Sequence, residues 1–252
     1  MDHADLSSSA APLQAGRETT FDLIKVFDAT VLAMAALAEP GEAGNHILRI
    51  QHYARALALK LKTSPTYGRP MSDATISLLQ RAVPLHDIGN AGVPDRILLK
   101  PGALDADEIK VVRTHTQLGC AVIDQIKGSA GFSTQFLEIA RDIIGAHHEH
   151  WDGKGYPQSL FGAAIPVAAR IMALADAYDA MTSDRVYRAG VAHDRAVQLI
   201  FQDRAAQFDP DMVDALIEIQ HEFAAIAARF TDTDHDHQKK MNYMAMAIAE
   251  SP

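Results

Sequence analysis

The chain has 252 residues, 48% hydrophobic and 22% charged, with a formal net charge of −9. It is long enough for one large or two small domains and apolar enough to bury a sizeable core, while its negative charge argues against non-specific binding to a nucleic-acid polymer. Cys120 is its single cysteine, which excludes an internal disulfide and a cysteine-cluster metal site, so any metal must be held by His, Asp and Glu.

Residues 1–17 are small and polar without apolar periodicity, and a disordered tail is expected there. From Thr19 the pattern is helical, with Phe27, Val31, Met34 and Leu37 on one face and Pro40-Gly41 as the stop. A second helix is expected over residues 42–62, with His46, Ile50, Tyr53 and Leu57 in one stripe, and a third over 72–85. A loop over 89–103 contains Gly92, Pro94, Pro101 and Gly102. Asp105 followed by Glu108 has the pattern of a capping box opening a long helix. Helices over 134–148, 167–182 and 193–202 come next, with an ordered Gly- and Pro-rich loop over 151–166. Asp209-Pro210 has the N-cap and first-turn pattern of a helix reaching Phe230. Strand alternation is nearly absent, so the expected fold is all-α, one domain over residues 18–230, with 231–252 a flexible tail or short helix. No apolar run spans a bilayer and no signal-like N-terminus is present, so a cytoplasmic protein without a membrane segment is expected.

Of the 12 histidines, five fall where a helical core should be: His46, His86, His115, His147 and His148. A lone histidine on an apolar face is ordinarily satisfied by hydrogen bonds. Five of them, each near a carboxylate or another histidine, are better explained by a shared metal. The His86-Asp87 dipeptide is weak evidence by itself. Adjacent side chains diverge on a helix, and a pair of metals resolves this when the carboxylate bridges them. Asp176 lies in the apolar stretch ARIMALADAYDAM with Asp179 one turn on, and Glu42 and His46 have the i, i+4 spacing of two ligands for one ion. Oxygen and nitrogen ligands without sulfur suit iron, manganese, zinc or nickel. Two or three divalent ions supply an activated hydroxide and neutralise charge developing on a phosphoryl group. No serine nucleophile elbow, GxGxxG or Walker A loop is present.

The segments GNHILRIQHYA, PLHDIGN, VPDRILLKPGAL, HTQLG, HHEHWDGKGYP, IPVAARIMALADAYDAMTSDRVYR and QFDP occur in this order across most of the chain. Together they resemble the HD-GYP family of cyclic di-GMP phosphodiesterases, closest to the type found in two-component response regulators, though no receiver domain is present. The resemblance implies an HD-type helical bundle with a bimetallic or trimetallic centre in its core. His86 and Asp87 match the HD pair, and His115, His147, His148 and Asp176 match the remaining ligands. Glu42 and His46 match the pair that supports a third metal. Gly155, Tyr156 and Pro157 match the signature loop, and Arg185, Tyr187 and Arg188 match a substrate-side segment where an arginine fork clamps phosphate. Iron is the metal the resemblance favours, with manganese, nickel and zinc as alternatives. The implied reaction opens cyclic di-GMP to linear pGpG, and further to GMP, with Asp87 and Asp179 in the catalytic machinery and Asp179 orienting water or the leaving oxygen.

One departure bears on rate. The family reads HDIGK where this chain reads HDIGN, so Asn90 replaces a lysine near the scissile phosphate. A neutral amide in place of a full charge costs about 2 to 4 kcal/mol in the transition state, or roughly 30- to 1,000-fold. The alternative expectation is therefore a catalytically weak sensor or adaptor that binds a cyclic dinucleotide or a partner protein. Hydrolysis of a mixed cyclic dinucleotide is a third reading. A protein partner at the GYP loop, such as a diguanylate cyclase domain, and a homodimer are further expectations. The chain also reads RAAQFDP where relatives carry Gly and His before FDP, which points to an altered loop.

Overall fold

A computed structural model describes residues 11–39, 44–68, 71–100, 102–130, 134–184, 189–236, 238 and 241–243. Among these residues the fold is all-α, without a β-sheet; the only strand-like pairings are two isolated bridges, Asp152 with Phe161 and Arg204 with Phe208. The helices are α1 (Ala11–Ala38), α2 (Gly44–Leu61), α3 (Asp73–Ala82), α4 (Asp95–Leu98), α5 (Ala106–Arg113), α6 (His115–Ala130), α7 (Gln135–Ala146), α8 (Val167–Thr182), α9 (His193–Gln202) and α10 (Pro210–Arg229). No described helix is long and apolar enough to cross a membrane.

Two helices run through the middle. α2 packs on α3, α8 and α10, and α8 packs on α2, α7, α9 and α10. α8 buries Ala169, Ile171, Met172, Leu174, Ala175 and Tyr178, which is why its sequence is apolar almost all round. Tyr53 of α2 stacks on Phe223 of α10 at 4.6 Å, and Tyr178 of α8 meets both rings edge-on at 5.1 and 5.0 Å. Each such aromatic contact adds about 0.5–1.5 kcal/mol beyond area burial. A second tie is polar: Arg170 of α8 donates to Asp209 Oδ2 at 2.5 Å and to Tyr67 Oη at 3.1 Å, and Tyr67 donates to the same oxygen at 3.1 Å. Asp209 also caps α10, accepting from the Asp211 backbone N–H at 2.8 Å. The cap expected at Asp209-Pro210 is thus also half of a buried ion pair.

Several elements differ from expectation. α1 begins at Ala11, inside the segment expected to be disordered; Leu13, Gln14, Ala15 and Arg17 are good helix formers, and lengthening a helix needs no new nucleus. Its buried face is Val31, Ala35 and Ala38, while Phe27, Met34 and Leu37 stay exposed. Alanines let this helix approach its neighbours closely, which the larger side chains do not. The helix expected over 72–85 gives way to a 3₁₀ turn at Val83–Leu85, where Pro84 cannot continue the ladder. The loop over 89–103 holds a second 3₁₀ turn, Ile88–Gly92, and the short α4. The capping box at Asp105 forms, with both reciprocal bonds. The long helix it was expected to open breaks at Thr114 into α5 and α6. There Thr114 Oγ1, His115 Nδ1 and Thr116 Oγ1 each meet the carbonyl three residues back, at 2.7, 2.8 and 3.1 Å. Such side-chain bonds compete with the helical ladder.

The break lets the HD segment reach α6. A Cβ on Gly89 would lie 1.9 Å from the His115 carbonyl oxygen and 2.6 Å from the Gly119 backbone nitrogen, so two backbones touch here. Gly89→Ala is expected to force them apart at a cost of about 1–3 kcal/mol or more, lowering the melting temperature by about 2–4 °C per kcal/mol. Gly128→Ala on the same α6 meets nothing within 4 Å and is expected to stabilise the chain by up to about 1 kcal/mol. Thermal unfolding of the two variants checks this, and equal melting temperatures would count against the close approach.

Candidate metal centre

Three helix ends deliver imidazoles to one place. His86 follows the 3₁₀ turn after α3, His115 opens α6 immediately after α5, and His147 is the C-cap of α7. Each uses Nδ1 on a backbone carbonyl of its own helix end: Val83 at 3.2 Å, Val112 at 2.8 Å and Ile143 at 2.9 Å. A carbonyl only accepts, so Nδ1 carries the proton and the Nε2 lone pair is left to point elsewhere. It points at Asp87. His115 Nε2 and His147 Nε2 lie 3.2 and 3.4 Å from Asp87 Oδ1, and His86 Nε2 lies 3.7 Å from Asp87 Oδ2. Asn90 Nδ2 donates to Asp87 Oδ2 at 3.1 Å.

Asp87 Oδ1, His115 Nε2 and His147 Nε2 are all buried and make no hydrogen bond. An unmet buried polar atom costs about 1–3 kcal/mol, so three converging on one another need a shared partner. With His148 they form a four-residue group whose ligand atoms all lie within 4.8 Å of each other. A divalent cation fits three neutral imidazoles and one carboxylate. Burial and the neighbouring His147 push the His148 imidazole down to about 2. Burial likewise lowers His86. Burial opposes ionisation of Asp87, but the His86 charge and the His115 and His147 contacts hold its carboxyl well below the usual range.

A second group adjoins the first: Glu39, His46 and His86. His46 Nε2 is 3.5 Å from Glu39 Oε2, and His86 Nδ1 is 3.8 Å from Glu39 Oε1, so His86 stands between the groups. Glu39 is the residue after α1 and is buried. It occupies the place beside His46 that spacing assigned to Glu42, which lies outside the described residues, as do Arg185, Tyr187 and Arg188. Against the cost of burial, a hydrogen bond to Asp179 and the charge of Glu39 raise His46 to about 10. Asp176 is half-buried and belongs to neither group at this separation, yet its charge acts on His46, His86 and His115, which places it near both. Asp179 is buried and faces His46 Nδ1 at 2.7 Å and Arg49 Nε at 2.5 Å. Those contacts outweigh burial and hold its carboxyl below the usual range.

The GYP loop forms the rim. Tyr156 stacks on His148 at 4.8 Å between ring centroids, and the guanidinium of Arg113, at the end of α5, lies 4.6 Å from the Tyr156 ring. A Cβ on Gly155 would lie 2.2 Å from the His150 nitrogen, so only glycine lets the loop fold back this closely. Buried Glu149 accepts from the Gln158 and Leu160 backbone N–H groups at 2.7 and 2.9 Å, and Tyr156 N–H donates to the His148 carbonyl at 3.1 Å. Trp151 and Asp152 N–H groups bond the Gln207 and Ala206 carbonyls, tying the loop to the segment before α10. Glu39, Arg49, Arg113 and Glu149 were not singled out by spacing. The available signals were a glutamate ending the apolar run MAALAEP, an arginine one turn after His46 and a carboxylate inside HHEH.

The HD domain family matches residues 30–212. A probable cyclic di-GMP phosphodiesterase of Vibrio cholerae is 43% identical over 84% of this chain and 49% of its own length. A 3′3′-cGAMP-specific phosphodiesterase of the same organism is 34% identical over 86% of this chain and 38% of its own length. The chain thus spans half or less of these relatives. A solved structure of a cyclic GMP-AMP-specific phosphodiesterase from Vibrio cholerae shares the fold, with a TM-score of 0.56 and 19% identity over 86% of this chain and 53% of that one. The chain belongs to the HD domain family, and the resemblance to its HD-GYP members holds.

Proposed function

We propose that this chain is a metal-dependent phosphodiesterase that hydrolyses cyclic di-GMP to linear pGpG and then to GMP. The carrying observation is the convergence of Asp87 Oδ1, His115 Nε2 and His147 Nε2, buried and without hydrogen bonds, beside His148 and the Tyr156 rim. Two relatives named as cyclic dinucleotide phosphodiesterases support the substrate class. Iron is the metal we favour, with manganese, nickel and zinc as alternatives. Bound divalent ions would activate water and neutralise charge on the phosphoryl oxygens.

The residues divide the work. Asp87, His115, His147 and His148 would hold one ion, and Glu39, His46 and His86 a second, with Asp176 and Glu42 completing the set. Asn90 fixes the Asp87 carboxylate through Oδ2, leaving Oδ1 toward the imidazoles. Arg185, Tyr187 and Arg188 are assigned to the substrate phosphate. Hydrolysis opens one phosphodiester: the water oxygen ends on phosphorus as part of a terminal phosphate, and the leaving 3′ oxygen takes up a proton. The GYP loop is the surface we assign to a protein partner, such as a diguanylate cyclase domain, and a homodimer is part of the same reading.

Asn90 favours a second reading, a sensor that binds cyclic dinucleotide and turns it over weakly. The chain loaded anaerobically with iron or manganese is expected to convert cyclic di-GMP to pGpG, and Asp87→Ala to abolish this; inactivity with every divalent metal refutes the enzyme reading. Asn90→Lys separates the two. A gain of roughly 30- to 1,000-fold supports the sensor reading, and an unchanged rate a competent wild type. A parallel assay with cyclic GMP-AMP decides the base preference.

A further inference from the structure

Arg49, in the turn of α2 after His46, is buried and makes five hydrogen bonds. Nε donates to Asp179 Oδ1 at 2.5 Å, and Nη2 to Asp179 Oδ2 at 3.1 Å and to Ser183 Oγ at 2.9 Å. Nη1 donates to the Phe230 carbonyl at 2.8 Å and to Asp232 Oδ1 at 3.2 Å. A guanidinium has five N–H groups, so every one has an acceptor, an arrangement a lysine cannot reproduce. Asp179 is as fully engaged. Oδ2 accepts from His46 Nδ1 at 2.7 Å and from Ser183 Oγ at 3.2 Å as well as from Arg49. Both of its oxygens are thus engaged by His46, Arg49 and Ser183.

We propose that Asp179 is the positioning residue for His46, and that Arg49 makes this positioning conditional on the seating of residues 230–232 against α2. This rests on the metal-centre reading above. A carboxylate on Nδ1 fixes the proton there and turns Nε2 toward Glu39, as outer partners of metal-binding histidines do. Through Arg49 the same carboxylate is joined to the chain leaving α10. Asn45 Nδ2 holds that chain a second time, at the Thr231 carbonyl, 3.1 Å away. His52 stacks on Phe230 at 4.8 Å between ring centroids, a third contact from α2. Release of residues 230–232 would remove two of the five acceptors of Arg49 and loosen its hold on Asp179. The segment leaving α10 is thereby wired to the Glu39, His46 and His86 group, and only remotely to the Asp87, His115, His147 and His148 group.

The test is metal binding, not turnover. The full chain stripped of metal is titrated with Mn²⁺ by calorimetry, and ions per chain are counted. Wild type is expected to bind at least two ions with separable affinities. Asp179→Asn and Asp232→Ala are expected to weaken one of them by about 10- to 100-fold and leave the other unchanged. Asp232→Asn, which keeps an acceptor oxygen for Nη1, is expected to recover wild-type binding. Unchanged affinities in Asp179→Asn would overturn the proposal. So would an Asp232→Ala chain in which both ions weaken together with a lower melting temperature, the mark of a merely structural role. A wild type that binds a single ion overturns it too, while cyclic di-GMP turnover separately decides the phosphodiesterase reading.

Discussion

The candidate centre depends on where four imidazoles place their protons. His86, His115 and His147 meet a backbone carbonyl through Nδ1, and His46 meets the Asp179 carboxylate. Without those partners each ring would be free to flip or change tautomer, and the Nε2 lone pairs would not converge. Each of these carbonyls also takes a backbone N–H, from His86 at Val83, Thr114 at Val112 and His147 at Ile143, so the imidazole meets the oxygen's second lone pair. α7 ends at His147 but α6 begins at His115, so the helix dipoles at this point oppose one another and the charge that favours a cation is that of Asp87. Ligand orientation comes from one device, the meeting of helix ends around a common spot.

That device explains why the centre was partly legible in sequence. His86-Asp87, His115 and His147-His148 stood out as polar residues at the ends of apolar helical stretches, and the structure brings these five together. Asp176 was visible as a carboxylate in an apolar helix and lies near both groups. Glu39 was not visible. It follows a run of alanines that reads as plain helix, and its approach to His46 depends on how α1 crosses α2, a long-range property. Arg49 was hidden for a similar reason: its five acceptors lie on residues 179, 183, 230 and 232, which no local spacing relates to α2. The all-α class and most helices followed from periodicity. The break at Thr114 did not, because three consecutive side-chain bonds to the backbone override a pattern that otherwise reads as one long helix.

The same lesson applies to the glycines. Gly155 and Gly89 both look like turn residues in sequence, yet each is required by backbone contact across the fold. Gly89 lets the HD segment lie on α6, which sets the distance from Asp87 to His115. Gly155 lets the loop fold back on residues 148–150, which sets Tyr156 on His148. A turn needs glycine for its own geometry. These two are needed because another backbone occupies the space of a side chain, so their substitution is expected to act on the centre and its rim before it acts on the loop itself.

Charge balance bears on the weight of Asn90. Asp87, Glu39, Asp176 and Glu42 are the four carboxylates assigned to the proposed centre. Two bound divalent ions would balance those four carboxylates and leave no surplus for a phosphodiester. A lysine at position 90 would add one positive charge, directed at charge that develops only during bond breaking. Asn90 adds none and instead holds Asp87 Oδ2. In the proposed reaction its replacement of lysine would fall mainly on the chemical step. Occupancy of the second group would then matter more in this chain than in one with the lysine, because losing an ion there would leave a net negative charge with no lysine to offset it. The connection proposed from residues 230–232 to His46 would act on that ion.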